Sequence, residues 1–210
     1  MIGDVPIGDS PIMFSIGAYS FCVAGPSLWA TVARLTYQVF AEELGQYDSP
    51  GPLLRDKNHE RNTYILARRG GAAVGLVALA SSRPFSVESR LPTPAVLDTV
   101  PKLVEVRLLS VMPEERSSHA LCGLLYAVLT ICERREWDHM VISAIENRRG
   151  LYQALTFDPI AAPSRERHLV FTPMLAKVAA MRARFARQLP TFERQIEMHS
   201  VAPGEASGSS

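Results

Sequence analysis

The sequence predicts one α/β domain built on a mixed central sheet, followed by a helical extension. Segments with strand character alternate with amphipathic helical segments along the chain. A glycine pair, Gly70-Gly71, separates two strand-like arms and predicts an antiparallel hairpin among them. A length of 210 residues suits one such domain, which can bury a core without disulfides. The expected order is β-α-β-β-β-α-β-α-β.

The first half of the chain predicts a strand, a helix and the hairpin. Residues 14–23 are rich in strand formers, and Gly25-Pro26 ends this strand. Ser27 is the expected N-cap of a helix whose apolar residues recur at helical spacing as far as Val39. The arms of the hairpin are TYILARR and AAVGLVALAS.

A long proline-rich connection, residues 83–101, follows the hairpin, and a connection of this length is usually functional or mobile. Residues 102–111 then predict a strand that is buried on much of both faces. Regular alternation along this strand would give two sets of side chains that share a face, Glu105, Arg107 and Leu109 on one side and Val104, Val106 and Leu108 on the other.

The second half of the chain predicts two more helices and two more strands. Their expected ranges are a helix over 118–136, a strand over 137–144, a helix over 147–155 and a strand over 168–171. An apolar stripe from Met174 to Phe185 indicates a further amphipathic helix. The expected organisation is a flexible arm (1–12), the domain (13–175), an amphipathic helical extension (176–199) and a disordered tail (200–210).

Composition excludes several classes of protein. Hydrophobic residues make up 47% of the chain and charged residues 20%, which argues against wholesale disorder. The net charge of +1 gives no global field that would attract nucleic acid or an anionic membrane. The uncharged run between Asp9 and Arg34 is interrupted by Ser, Gly and Pro, so we expect neither a signal peptide nor a membrane span.

Three cysteines without metal-ligand spacing favour a reducing compartment, and we expect a cytoplasmic protein. Cys122 and Cys132 lie among apolar neighbours of a predicted helix and are expected to be core thiols. The histidines form no HxxxH or HxH pair, so no metal site is expected.

The most specific motif is LYQALTF at residues 151–157. It resembles the LYxxLGF signature of the GNAT (Gcn5-related N-acetyltransferase) superfamily, with Thr156 at the usual glycine position. The resemblance implies the GNAT fold, whose mixed central sheet contains a splayed strand pair. The resemblance implies that Tyr152 protonates the thiolate that leaves when an acyl thioester is attacked, which a phenol can do. Alternatively, Tyr152 is a surface tyrosine of an amphipathic helix.

A second motif lies upstream, where a strand leads through Arg116 into a helix. It resembles the Q/R-x-x-G-x-G/A loop with which this superfamily holds the pyrophosphate of coenzyme A. His119 and Leu121 occupy its two small-residue positions, which keeps the backbone farther from a phosphate. Alternatively, Arg116 and His119 form a solvated helix start.

The resemblance implies which residues bind the acyl donor. The donor is a coenzyme A thioester, acetyl-CoA or a longer acyl-CoA, or an acyl-phosphopantetheine on a carrier protein, and no metal is involved. The implied donor-binding residues are Leu109, Ser110, Val111, Arg116, Ser117, Ser118, His119, Ala120, Leu121 and Asn147. For Asn147 a plain N-cap is the alternative.

Other motifs indicate a branch of the superfamily. LTYQVFAEE at residues 35–43 resembles the LRYxVFxEE helix of N-acyl amino acid synthases and autoinducer synthases, with Thr36 in place of arginine. Those relatives carry a strand of the form E-x-S-R-x-x-V, of which Glu105 and Val111 match the ends. The segment RPFS at residues 83–86 is similar to GNAT-like domains fused to PLP-dependent aminotransferase-like proteins.

Glu105 and Arg107 are a charged pair in the middle of an apolar strand, which is costly unless the pair lines a cleft or is internally satisfied. The resemblance implies that Glu105 is the general base that deprotonates an attacking amine. Arg107 is the expected anchor for a substrate carboxylate. Arg83 and Phe85, from the long connection, are further expected substrate-binding residues. A structural ion pair is the alternative for Glu105 and Arg107.

These observations predict an acyltransferase that moves an acyl group from a thioester to the amine of a small molecule, with an amino acid as one candidate. Two alternatives remain. One is a catalytically degenerate binding domain. The other is an interaction subunit whose helix (174–189) docks a carrier protein or a PLP enzyme supplied in trans, or forms a homodimer. Neither nucleic acid nor a membrane is an expected partner.

Overall fold

The computed structural model describes residues 12–116 and 119–198, and it confirms the predicted mixed α/β class. Its strands are β1 Ile12–Ile16, β2 Tyr19–Val23, β3 Asn62–Arg69, β4 Ala72–Ala80, β5 Leu103–Val111, β6 His139–Ile145, β7 Asp158–Pro159, β8 Ser164–Glu166, β9 Leu169–Lys177 and β10 Ile196–Met198. They form one sheet in the order β10-β1-β2-β3-β4-β5-β6-β9-β7, and β8 also pairs with β9.

Five α-helices accompany the sheet in the described ranges. They are α1 Trp29–Thr36, α2 His119–Arg134, α3 Arg149–Ala154, α4 Val178–Arg184 and α5 Leu189–Arg194. A π-helical segment, Tyr37–Glu43, continues α1, and short 3-10 turns include Ser86–Arg90 and Pro113–Glu115. None of the helices in the described part of the chain is both long and apolar enough to cross a bilayer.

Helices α1 and α2 cover opposite faces of the sheet. On the α2 face, Phe21 and Val77 join Leu124 in the largest buried cluster. On the α1 face, Leu35 packs with Leu66 in a second cluster. Helix α2 approaches the sheet closely at Gly123, where an added Cβ would lie 1.9 Å from Cζ of Phe21.

The hairpin predicted at Gly70-Gly71 is confirmed, with both glycines at positive φ (+55° and +87°) between β3 and β4. The single strand predicted over 14–23 is wrong, because Gly17 (φ +55°) turns the chain and divides the segment into β1 and β2. An apolar run does not reveal a tight turn within it, since the strand formers continue on both sides.

The C-terminal region also differs from the prediction. The strand predicted over 168–171 extends to Lys177, so Met174 lies in β9 and the helix begins only at Val178. After α5 the chain forms β10, which pairs with β1, so the extension returns to the sheet edge as a strand. The predicted arm, apart from Ile12, and the predicted tail (200–210) lie outside the described residues.

The three cysteines are free thiols. Cys22 and Cys132 are buried, and burial raises the pKa of Cys132 to about 12. Cys122 is exposed, so its prediction as a core thiol is wrong. Gly123, the next residue along α2, is the one that faces the sheet.

A β-bulge in β5 changes the alternation expected there. Arg107 lies opposite Ala78 and Ser110 opposite Leu76, so Leu108 and Leu109 together face one residue of β4. Leu108 has φ +54° and packs in the cluster on the α1 face, whereas Leu109 packs against the α2-side cluster. The predicted faces of Leu108 and Leu109 are therefore reversed.

The sheet opens between β5 and β6, which confirms the predicted splayed pair. These two strands are parallel and pair only from Leu103↔His139 to Glu105↔Val141. Beyond that point β5 stays paired with β4, while β6 stays paired with β9. Among the described residues, the backbone of β5 from Val106 onward consequently has no strand partner on its β6 side.

Candidate active site

A cavity of about 510 Å³ lies where β5 and β6 separate. It is lined by most of the residues that the sequence predicted for the site, namely Glu105, Arg107, Leu109, Ser110, Val111, Arg116, Leu121, Asn147 and Tyr152. Strand β5, the loop after it, and the helix after β6 therefore bring distant parts of the chain to one opening. Arg83, Phe85, His119 and Ala120 do not line it, and Ser117 and Ser118 lie outside the described residues.

Tyr152 enters the cavity from α3, the helix that follows β6. Its ring packs edge-on against Phe157 with a centroid distance of 6.0 Å, and Phe157 is buried in the core. Burial raises the pKa of the Tyr152 phenol to about 12, although the positive charge of Arg148 opposes the shift. The phenol is therefore a protonated group at neutral pH.

Thr156 ends the turn that carries Tyr152, and its φ is +68°. This left-handed conformation is accessible to glycine at no steric cost but is strained for a β-branched residue. Its hydroxyl is buried without a hydrogen-bond partner among the described residues. The positive φ at this position explains why the LYxxLGF signature usually has glycine there.

Arg116 lies at the end of the cavity beyond β5. Its Nη2 donates to both carboxylate oxygens of Glu43, at 2.5 and 2.6 Å, and its Nε donates to the carbonyl of Val111 at 3.2 Å. These contacts tie the loop after β5 to the end of the π-helical segment. Deeper in the cleft, the Ser110 hydroxyl is buried and has no hydrogen-bond partner in the described structure.

Glu105 lies at the closed end of the cleft and is almost fully buried. Its carboxylate accepts hydrogen bonds from the backbone N–H groups of Ser86 and Val87, each at 2.8 Å. The hydroxyl of Ser86 also donates to Glu105 Oε1. Glu105 therefore caps the 3-10 turn Ser86–Arg90 and fixes the long connection to the sheet.

Arg107 and Asp56 form a buried bidentate ion pair, with distances of 2.8 Å (Nη1–Oδ1) and 2.9 Å (Nη2–Oδ2). Nε of Arg107 donates to the Ser86 hydroxyl at 2.8 Å, and Glu105 lies farther away at 3.6 Å. Burial alone would raise the pKa of Asp56, but the hydrogen bonds and charge of Arg107 hold it below its usual value. The role of Arg107 as a substrate anchor stays a prediction.

Arg83 and Phe85 stabilise the long connection. Arg83 forms ion pairs with Glu88 and Asp98 on the protein surface. Phe85 is buried in a third apolar cluster that includes Val87. Their predicted role in substrate binding is untested, and neither side chain reaches the cavity.

Sequence reasoning missed several polar residues that the structure brings to the closed end of the cleft. Ser86 and Arg90 come from the long connection, Ser143 comes from β6, and Tyr47 comes from the turn-rich segment after the first helix. Asp56, from the same segment, engages Arg107. In the sequence, the length of the connection 83–101 and the polarity of the segment after the first helix indicate functional regions. Neither property identifies which individual residues reach the cavity.

No three His, Cys, Asp or Glu side chains gather as a metal site within the described ranges. No protein-family model and no curated protein sequence matches the chain. The relationships below therefore rest on structural similarity.

Several solved structures share the fold. FeeM, an N-acyl amino acid synthase from uncultured soil microbes, superposes with a TM-score of 0.63 at 16% identity over 80% of this chain and 96% of its own. BjaI, a CoA-dependent acyl-homoserine lactone synthase solved with SAM and isopentyl-CoA, gives a TM-score of 0.64 at 17% identity over 77% and 82%. A Lactobacillus plantarum protein described as an N-acetyltransferase gives 0.58 at 15% over 77% and 99%.

These similarities confirm the fold that the sequence resemblance implied. In this chain the sheet opens between β5 and β6, and α3 places Tyr152 beside the opening. This is the arrangement that the resemblance of the LYQALTF segment and of the loop at Arg116 implies. The chain has the GNAT-like fold, in the form shared with acyl-homoserine lactone synthases and the N-acyl amino acid synthase FeeM.

Proposed function

We propose that this protein is an acyltransferase that moves an acyl group from a thioester to the amine of a small molecule. The observation that carries the proposal is the opening of the sheet after the Glu105–Val141 pair, with the Tyr152 phenol at the same cavity. The presence of CoA-dependent acyl transfer in a protein of the same fold, BjaI, supports it.

The acyl donor binds along β5. Beyond Glu105, no strand of the described chain pairs with the β6-facing edge of this strand, so its backbone can pair with the amide groups of a pantetheine arm. The unpartnered Ser110 hydroxyl offers a further hydrogen bond in the same cleft. Arg116, next to the start of α2, binds the phosphate end of the donor. To do so, it gives up one of its hydrogen bonds to Glu43. Both coenzyme A and a carrier protein present such an arm.

The acceptor amine binds near Ser86. The Ser86 hydroxyl donates to Glu105 and accepts from Arg107 Nε, and its second lone pair can accept from an ammonium group. Because backbone N–H groups cover both Glu105 oxygens, the acceptor reaches the carboxylate through the Ser86 hydroxyl. The ammonium gives a proton to Ser86 Oγ as the Ser86 proton moves to Glu105, and the free amine becomes a nucleophile.

Acyl transfer then proceeds by direct attack. The amine nitrogen bonds to the thioester carbonyl carbon, and collapse of the tetrahedral intermediate breaks the carbon–sulfur bond. Tyr152 donates its proton to the departing sulfur, while the nitrogen releases its second proton to solvent. Solvent reprotonates Tyr152 and removes the proton from Glu105. The products are an amide and a free thiol.

Thiol release from acyl-CoA and from acyl carrier protein, measured with and without a panel of small amines, tests the proposal. We expect thiol release that depends on both substrates and yields the amide by mass spectrometry. Ser86→Ala and Glu105→Gln should each lower turnover, whereas Ser86→Thr, which keeps the hydroxyl, should retain most of it. Binding of a donor without any transfer would instead support a degenerate binding domain, and no response to either donor would overturn the proposal.

A further inference from the structure

Arg90 lies at the closed end of the same cavity, on the 3-10 turn that also carries Ser86. Its guanidinium carbon lies 4.2 Å from the centre of the Phe171 ring, and this buried ring holds the group in place. One terminal nitrogen donates to Glu166, and the other lies 3.5 Å from the Ser143 hydroxyl. The side chain is 13% exposed.

Nε of Arg90 is buried and has no hydrogen-bond partner among the described residues. A buried donor on a charged group is costly to leave unsatisfied, so native proteins nearly always provide it with an acceptor. Arg107 provides the contrast, because its Nε donates to Ser86 while its terminal nitrogens hold Asp56. Arg107 has little capacity left for a ligand, whereas Arg90 has an unused donor beside the cavity.

Arg90 lies too far from Arg116 to bind the phosphates of the same acyl donor. Arg90 contacts β6 at Ser143, two residues beyond the last pair of the two strands. Arg116 lies past Val111, and the six steps along the strand from Glu105 to Val111 span roughly 20 Å at the usual rise per residue. An anion at Arg90 therefore belongs to the acceptor half of the cavity.

We propose that Arg90 binds the carboxylate of the acceptor and thereby makes this protein select amino acids over amines that lack a carboxylate. The inference rests on the proposed acyl transfer. Ser86, backed by Glu105, receives the amine, and Arg90 on the same turn receives the carboxylate through its free Nε and an adjacent amino group. The exposed Lys57, which also lines the cavity, adds a second positive charge to this half.

Paired acceptors test the assignment. The common amino acids and their primary amides present the same side chain and amine, with and without the carboxylate charge. We expect wild-type kcat/KM to be higher for an amino acid than for its amide by about 10- to 100-fold, the range of a hydrogen bond to a charged group. Arg90→Gln should lower kcat/KM about 10- to 100-fold more for the amino acid than for its amide, which removes this preference.

Two further variants sharpen the result. Arg90→Lys keeps the charge but loses the two-nitrogen geometry, and it should retain part of the preference. Arg194→Gln, at an exposed arginine of α5 that does not line the cavity, is the matched control and should leave the preference intact. Equal losses for amino acid and amide in Arg90→Gln, or the same loss of preference in Arg194→Gln, would overturn the assignment.

A binding measurement keeps this test independent of the proposed transfer. If wild type acylates neither acceptor, acyl transfer fails, and calorimetric titration with the amino acids decides the role of Arg90 alone. Weaker binding to Arg90→Gln than to wild type would support the carboxylate site. Equal amino-acid affinity of wild type and Arg90→Gln, or no amino-acid binding to either protein, would overturn the assignment of the carboxylate site.

Discussion

Glu105 on β5 lies opposite Val141 on β6, and this is the last pair before the two strands separate. The carboxylate of Glu105 holds the turn Ser86–Arg90 against the sheet at that point. The place where the sheet opens is therefore also the place where the long connection is fixed. The closed end of the cavity is therefore formed by polar groups of β5 and of the turn Ser86–Arg90.

Tyr152→Phe should lower turnover by about 10²- to 10⁴-fold, the usual contribution of a positioned general acid. Donor affinity should not change, because the ring and its packing on Phe157 remain. Steady-state kinetics with a parallel calorimetric titration of the donor would separate the two effects. An unchanged turnover would remove Tyr152 from the reaction.

The pH dependence of turnover should show no loss from Tyr152 in the alkaline range. Burial raises the pKa of this phenol to about 12, so the acid form persists well above neutral pH. With an acceptor saturating at each pH, wild-type kcat should not decline between about pH 7 and pH 10. A decline within that range that is absent from Tyr152→Phe would show that the phenol titrates there.

Asp56→Asn should destabilise the protein by about 3–5 kcal/mol, because it leaves the Arg107 charge buried and uncompensated. The side chains of Arg107 and Asp56 are only 7% and 5% exposed, so solvent screens this pair little. Asp48→Asn is the matched control, since Asp48 forms an exposed ion pair with Arg167. The control should leave stability nearly unchanged in urea unfolding.

The contribution of Asp56 should depend on pH in one direction. Its pKa is lowered in the folded protein, so the stabilisation is fully present above the ordinary value of 3.8 and is lost as the pH falls through the folded value. The stability difference between wild type and Asp56→Asn should thus be constant near neutral pH and shrink in acid. A difference that grows as the pH falls would contradict the ion pair.

Thr156→Gly should stabilise the protein by about 1 kcal/mol, because the left-handed conformation strains every residue except glycine. Thr156→Ala is the matched control, since it removes the unpartnered hydroxyl but keeps the strained Cβ. Thermal unfolding should rank glycine above alanine at this position. The reverse order would show that the turn is not strained as described.

Gly123→Ala should destabilise the protein by about 1–3 kcal/mol, because the new Cβ would overlap the Phe21 ring and force α2 away from the sheet. Gly150→Ala is the matched control, since nothing lies within 4 Å of the added carbon. Chemical unfolding of the two variants should differ clearly. Equal stabilities would mean that α2 does not approach the sheet at Gly123.

Local patterns predicted much of the fold because they depend on neighbouring residues. The Gly70-Gly71 turn needs two residues at positive φ, and glycine pairs supply this wherever they occur between strands. The helix after Ser27 follows from apolar spacing alone, but Ser27 as its N-cap is wrong, because Leu28 holds that position and Ser27 lies in a 3-10 turn. The motif around Tyr152 likewise combines a helix with an aromatic residue that enters the core, and both are visible in the sequence.

Features that depend on distant contacts were not predictable in the same way. The bulge at Leu108 is fixed by the register with β4, so no local pattern reverses the faces of Leu108 and Leu109. Asp56 and Arg107 are 51 residues apart, and only the folded chain shows that they neutralise each other. Only the folded chain shows that Arg90 lies at the cavity with a buried Nε that has no hydrogen-bond partner among the described residues.

The central claim is that the opening between β5 and β6 holds an acyl thioester, and a cleft-filling variant tests it most directly. Ser143→Trp places a large ring in the cleft from β6, while Ser82→Trp makes the same change on an exposed residue outside it. Calorimetric titration with acyl-CoA and with acyl carrier protein should show one donor binding to wild type and to Ser82→Trp but not to folded Ser143→Trp. Equal binding to all three proteins, or no binding of either donor to wild type, would contradict the claim.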